Sequence, residues 1–432
     1  MKKILFYTTL LFTFYGCGEI EMSENPVAPN KPNAPSSIQR NPINYTEAWV
    51  KNFGDDFFGL KNTNITEDKQ NHFYFTGTSI EGNILIAKFN KEGQLLWKKI
   101  LESKNYERSG GITLDTKGNI YIVGSTTDSS ENYDKKDILI IALSSKGAEL
   151  WRKEYGVEGT EDYASEITFD KQNRKLYIIG MTNNDLENQI SVGGIDTFIS
   201  QFSLDGQLLW TKIMGTVYDD YASSISLDKN GNIYIAGSSS GAGESFLSKY
   251  NDQGKQQWLK NYKIDTLFEY AMFMSLGEDN NFYMSGKIIG ESKKIVGEND
   301  IFIRKINLDG QLVWDKIYGT KKSENPLELK ANKNGELFVT GSTYGSFNDF
   351  NNSKNNSKVF VSSFDEDANE LWTKQYEGNG VQASHRYHIS LDNDALYIMG
   401  EGEIDISNNP SQNQKQAFGS EYGLFMLKLK AQ

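Results

Sequence analysis

The chain has 432 residues, 38% hydrophobic and 12% aromatic, with a formal net charge of −12 at pH 7. That negative balance argues against nucleic acid as a partner, because phosphates would be repelled. A single Cys excludes internal disulfides, Cys-based zinc sites and dithiol redox chemistry, and no cofactor motif is present.

The first element is a leader. Lys2 and Lys3 precede an apolar run from Ile4 to Tyr15, which is too short to span a bilayer. It ends at Phe14-Tyr15-Gly16-Cys17, which resembles a bacterial lipobox. Residues 1–16 are therefore expected to be a lipoprotein signal peptide, with Cys17 lipidated and holding the protein to a membrane. Gly18 lacks the Asp that retains some lipoproteins at the inner membrane, so the expected location is the cell envelope, at the outer membrane or cell surface. Residues 17–45 carry Asn25-Pro26, Asn30-Lys31-Pro32 and Asn33-Ala34-Pro35, a composition that cannot bury a core and predicts a flexible tether.

From residue 46 to 432 the chain repeats. Its seven tryptophans (Trp49, Trp97, Trp151, Trp210, Trp258, Trp314, Trp372) are each followed two residues later by Lys. That spacing puts both side chains on one face of a strand, with Trp filling the gap between sheets and the Lys stem covering it. Between successive tryptophans lie four short runs, as in Gly111–Asp115, Ile120–Gly124, Asp137–Ala142 and Glu149–Lys153. Gly-containing turns such as Lys117-Gly118-Asn119 join the first run to the second. Four antiparallel strands per repeat predict propeller blades. Second-strand aromatics (Tyr74, Tyr121, Tyr177, Tyr234, Tyr283, Phe338, Tyr397) count seven of them. The fold class is thus all-β, a seven-bladed β-propeller, with residues 46–52 expected to pair with 423–430 and close the ring.

The runs Asp228-Lys229-Asn230-Gly231-Asn232-Ile233-Tyr234-Ile235-Ala236-Gly237-Ser238 and Leu204-Asp205-Gly206-Gln207-Leu208-Leu209-Trp210 resemble the bacterial β-propeller repeat of SBBP type. The resemblance implies a seven-bladed propeller, often secreted or surface-attached, with no established catalytic residues. Blade six departs at Asn369, where the turn Gly is absent, and blade seven has Asn393-Asp394-Ala395 in place of the Gly-Asn turn. The Asp205–Trp210 run also looks like the quinoprotein-type repeat of outer-membrane assembly lipoproteins, which have eight blades.

Strand parity puts the links between blades and the second-to-third loops on one face, and the two Gly turns on the other. The variable segments (126–136, 183–195, 288–299, 344–357 and 402–422) all belong to the first face, where binding usually resides. Just before each first strand an acidic residue is expected, often with an aromatic neighbour. The copies are Glu107, Asp162-Tyr163, Asp220-Tyr221, Glu269-Tyr270 and Glu324, with Asp56-Phe57 in blade one. Two readings stand: a polar-aromatic mouth for a cation, sugar or peptide, or carboxylates that accept N–H groups and fix blade-to-blade register. A group that follows the repeat favours the second, since a ligand-specific site should break it. Ser384-His385-Arg386-Tyr387-His388 breaks it, making His385 and Tyr387 candidates, but no third metal ligand accompanies the histidines. With no nucleophile constellation or phosphate loop, the chain reads as a binding or scaffolding module for a protein or glycan. The alternatives are a carbohydrate-active enzyme using the mouth carboxylates and an envelope-assembly scaffold.

Overall fold

Each repeat forms one sheet because its Gly and Asx turns bring consecutive apolar runs back on themselves. The computed structural model describes residues 44–432 apart from 55–56, 58–59, 129–135, 158–159, 334, 348–356, 380–386, 393–394 and 406–422. Blade 1 comprises Lys61–Glu67, Phe73–Thr78, Ile84–Phe89 and Leu95–Leu101, innermost strand first. Blades 2 to 6 repeat this order from first strands at Tyr106–Leu114, Asp162–Asp170, Asp220–Leu227, Phe268–Leu276 and Glu324–Ala331. Blade 7 takes Tyr387–Asp392, Ala395–Glu401 and Leu424–Ala431 from the end of the chain and Tyr45–Asn52 from its beginning. Those last two strands pair antiparallel from Tyr45↔Ala431 to Asn52↔Phe425.

Seven apolar clusters occupy the seven gaps between blades. One of them packs Phe73, Phe75 and Leu85 of blade 1 against Tyr397, Met399 and Met426 of blade 7. A blade is therefore covered on both faces, so its second strand is buried along its length, as at Ile120–Thr127. Outer strands are covered on one side only and alternate, as at Leu95–Leu101. Burying one such Phe, Ile or Leu side chain contributes about 1.5–3 kcal/mol, so the gaps hold the ring together.

The tryptophans tie each blade to the next. Every indole contacts the second-strand aromatic of its own blade, at 6.0–6.4 Å between ring centroids. In six of the seven its far side lies on the third-to-fourth turn of the following blade, as Trp210 does on Gly254. Trp372 instead meets Tyr45 of blade 7, where no such turn exists, at 5.7 Å. Trp151, Trp210 and Trp314 donate their indole N–H to carbonyls of that turn, at 3.1–3.2 Å. The companion Lys reaches the same turn: the Lys99 ammonium donates to the Gly147 carbonyl at 3.1 Å. Lys374 instead meets an acidic neighbour, Glu47, at 3.0 Å.

One departure from the repeat is resolved locally. In blade 6 the missing Gly is replaced by Ala368, which takes the left-handed backbone at φ 62°, one residue before Asn369. In blade 7 positions 393–394 lie outside the described residues. A fifth strand, Glu403–Asp405, adds to the outer edge of blade 6. It comes from a segment that reads in sequence only as a long loop.

Candidate functional site

Inner strands set the geometry of the mouth. In blades 2 to 6 each inner strand bulges just after the residue opposite the second-strand Gly, as between Ala164 and Glu166. The Gly is required there: a Cβ on Gly180 would sit 2.1 Å from the Tyr163 carbonyl. The bulge turns the start of the strand toward the loop-bearing face. The residue before it is Arg108, Tyr163, Tyr221, Tyr270 or Asn325 in successive blades, each at the same register.

The predicted carboxylates lie within the first strands and not before them, because each strand starts pairing with its second strand at or just before the acidic residue. All five are buried. Asp220 accepts from the Thr216 N–H at 2.6 Å and Glu324 from the Thr320 N–H at 2.8 Å. Asp162 accepts from Val157 N–H at 3.2 Å, and Glu269 from Ile264 N–H at 2.6 Å. Each thereby fastens the link entering its own strand. Their backbone N–H groups reach the previous blade: Glu107 to Gly82, Asp220 to Ile195 and Glu269 to Gly243, at 2.7–3.1 Å. Glu107 and Glu269 also hold cations, the Arg152 guanidinium and the buried Arg304. Burial pushes the Glu107 and Glu324 carboxyls above their usual range.

The aromatic partners are more open. Tyr270 is exposed, Tyr163 and Tyr221 are half-buried, and the Tyr221 hydroxyl donates to Asp219 at 3.2 Å. Burial raises the Tyr221 pKa, helped by Asp219 and by the nearby Tyr163 and Tyr270. Cys17, Asp56 and His385 lie outside the described residues. Tyr387 sits at the position that is Ala164 or Ala222 in other blades, buried edge-on against Phe425 at 5.3 Å.

Below the mouth the inner strands enclose a cavity of about 110 Å³, reached by Asn64, Gly111, Glu166, Phe273, Glu328 and His388. His388 stands 3.9 Å from Glu328, and its pKa is pushed down to about 4 by burial, with Lys330 adding and Glu67 opposing. Against the upward pull of burial, Lys330, His388 and Ser390 hold Glu67 below the usual carboxylate range. Sequence reasoning singled out His385 and Tyr387 and passed over His388, whose channel position follows from the register opposite Met399.

The mouth also bears exposed apolar side chains. Among the described residues, every exposed large hydrophobic side chain outside the outer strands belongs to this face. Ile190, Val192, Val217, Tyr218, Phe268 and Tyr270 form an arc over blades 3 to 5, with Ile80, Val157, Val296 and Tyr344 elsewhere on the face. The loop at 183–195 is fixed against the link before blade 4: Ile195 N–H donates to Asp219 at 3.0 Å. A Cβ on Gly193 would meet the Thr216 carbonyl at 2.3 Å, so Val192 and Val217 stand on adjoining segments.

The family match agrees with a propeller repeat. The family described as "Beta-propeller repeat" (SBBP) matches residues 97–130, 150–187 and 209–243. Each match starts at or just before an outer-strand Trp and crosses into the next blade. The chain is 25% identical over 177 residues to the regulatory protein FlaEY of Caulobacter vibrioides, covering 37% of this chain and 18% of that protein. It is 24% identical over 369 residues to an uncharacterized WD repeat-containing protein of Acanthamoeba polyphaga mimivirus, covering 78% of this chain and 22% of that protein. The chain thus spans about a fifth of the length of either relative. Similar solved structures include a luciferin-regenerating enzyme (TM-score 0.40, 12% identity, 77% of this chain and 97% of that one). A puromycin hydrolase gives a TM-score of 0.49 at 8% identity, over 79% of this chain and 50% of that one.

Proposed function

We propose that this protein is an exported lipoprotein, attached through Cys17, whose propeller binds a protein partner on its loop-bearing face. The observation that carries the reading is the arc over blades 3 to 5, where Ile190 and Val217 are 76% and 70% exposed. Grouped apolar side chains exposed on a rigid body mark interaction surfaces, and aromatics anchor them. Aliphatic Ile190, Val192 and Val217 favour a protein over a glycan, which needs hydrogen-bonding groups around its stacking rings. The mouth carboxylates are engaged in the scaffold, which argues against using them as a general acid and base.

The test pans a random peptide display library against the full-length protein and runs a glycan array beside it. Peptides should be retained and lost on Val217→Asp or Phe268→Asp. Glycan capture without peptide capture would overturn the reading. For the anchor, Cys17→Ser should move the protein from the membrane fraction to the soluble fraction.

A further inference from the structure

Five segments lie side by side across the loop-bearing face of blades 3 to 5. The 183–195 loop rests on the link before blade 4, where Asp220 N–H donates to the Ile195 carbonyl at 2.7 Å. That link meets the tip between the second and third strands of blade 4, where Ser240 N–H donates to the Asp219 carbonyl at 2.9 Å. The tip in turn meets the link before blade 5, where Glu269 N–H donates to the Gly243 carbonyl at 3.1 Å. This second link holds the 290–298 loop, with Lys294 on Asp265 at 3.1 Å. The tip spans only 240–243, so it lies recessed between two longer loops as the floor of a cleft. Two rings rest on that floor. A Cβ on Gly241 would sit 2.0 Å from the Tyr218 ring, and one on Gly243 would sit 2.4 Å from the Phe268 ring. Both rings nevertheless stay open to solvent, at 54% and 45% exposure. Tyr221 and Tyr270 stand near one another at the inner end. Lys263, Lys294, Asp265 and Asp219 are engaged within the scaffold: Lys263 donates to the Ala242 carbonyl, Lys294 pairs with Asp265, and Asp219 accepts from Ile195 N–H and the Tyr221 hydroxyl.

We propose that this cleft takes an extended, proline-containing segment of the protein partner, in the polyproline II conformation. The inference rests on the protein-partner reading and names the part of the partner that binds. Aromatic rings whose bordering charges are engaged suit an uncharged apolar segment. An α-helix is about 10–12 Å across and bonds its backbone groups internally. Polyproline II is an open helix whose carbonyls are left to accept from tyrosine hydroxyls, here those of Tyr218 and Tyr270. An extended segment laid on apolar rings strands its N–H groups, and each proline removes one of them. Prolines three residues apart fall on one face of this helix, and their fixed φ leaves little conformational entropy to lose on binding.

The experiment uses peptides retained by the full-length protein in the display selection, with affinities read by fluorescence anisotropy. The retained set should be enriched in prolines three residues apart. Replacing one such proline by Ala should weaken binding roughly tenfold, through lost ring contact and lost preorganisation. Tyr218→Ala and Phe268→Ala should each weaken it roughly ten- to a hundredfold. Tyr218→Phe, which keeps the aromatic ring, should bind more tightly than Tyr218→Ala. Unchanged melting of each variant shows that the propeller is intact, and the proline replacement makes the same test on unaltered protein. If the peptides need Val217 but tolerate the loss of proline, the cleft assignment fails and the arc stands. If no peptide is retained, both fail. Retention of helix-forming, proline-free peptides would overturn the proposal.

Discussion

At the scale of single residues, the deviations from the repeat are the informative positions. Ala368 holds a left-handed conformation that costs a residue with a Cβ about 1–2 kcal/mol. Ala368→Gly should therefore stabilise the protein by about 0.5–1 kcal/mol after losing one buried methyl, seen as a higher urea midpoint at unchanged slope. Two buried ionisable groups act in opposite senses. Burial raises the Glu401 carboxyl to about 7, although it accepts the Thr63 N–H at 3.2 Å. Its folded pKa lies above the unfolded value, so the stability it contributes is present in acid and disappears as pH rises toward 7. His388, depressed to about 4, contributes stability above its unfolded pKa that is lost as pH falls through 6.5 to 4. Denaturant titrations from pH 4.5 to 8 should show Glu401→Gln gaining on the native protein toward pH 8. His388→Gln should gain on it toward pH 4.5. Each difference should change by no more than about 1.4 kcal/mol per pH unit. A flat difference for either variant would contradict its assigned burial. Neither residue was legible in sequence, because burial at the ring seam depends on which blades become neighbours.

At the scale of elements, Trp-x-Lys and the second-strand aromatic were legible because both recur with the blade. What sequence could not show is their partner: in six blades the indole meets its own blade's aromatic and the next blade's turn together. The fifth strand of blade 6 escaped notice because Glu403–Asp405 is too short for a period to register. It is held by Asn52, whose carboxamide donates to the Ile404 carbonyl at 3.1 Å and accepts its N–H at 3.2 Å. That pair joins the edge of blade 6 to the outer strand of blade 7, with Ile404 buried between them. Asn52→Ala should leave both Ile404 groups without their side-chain partner and cost about 1–3 kcal/mol. Amide exchange should quicken first at 403–405 and 377–379, and equal protection in the variant would deny the clamp its role.

At the scale of the whole molecule, the strands 45–52 and 424–431 share one sheet. With Val50 opposite Leu427, a Val50→Cys/Leu427→Cys pair in a Cys17→Ser background should oxidise to a disulfide. The oxidised form should then outlast the reduced one by about 2–4 kcal/mol. Strand parity in the sequence already assigned loops to one face and Gly turns to the other. The apolar arc was hidden, because Val192 and Val217 come from segments that only the fold brings together. The most direct measurement compares the two faces. A photo-crosslinking residue is placed singly at Ile190 or Val217 on the loop side, and at exposed Lys117 or Lys229 on the turn side, in cells producing the protein. Protein adducts from the loop positions alone are predicted; adducts from the turn positions, or from both sides equally, would contradict the account.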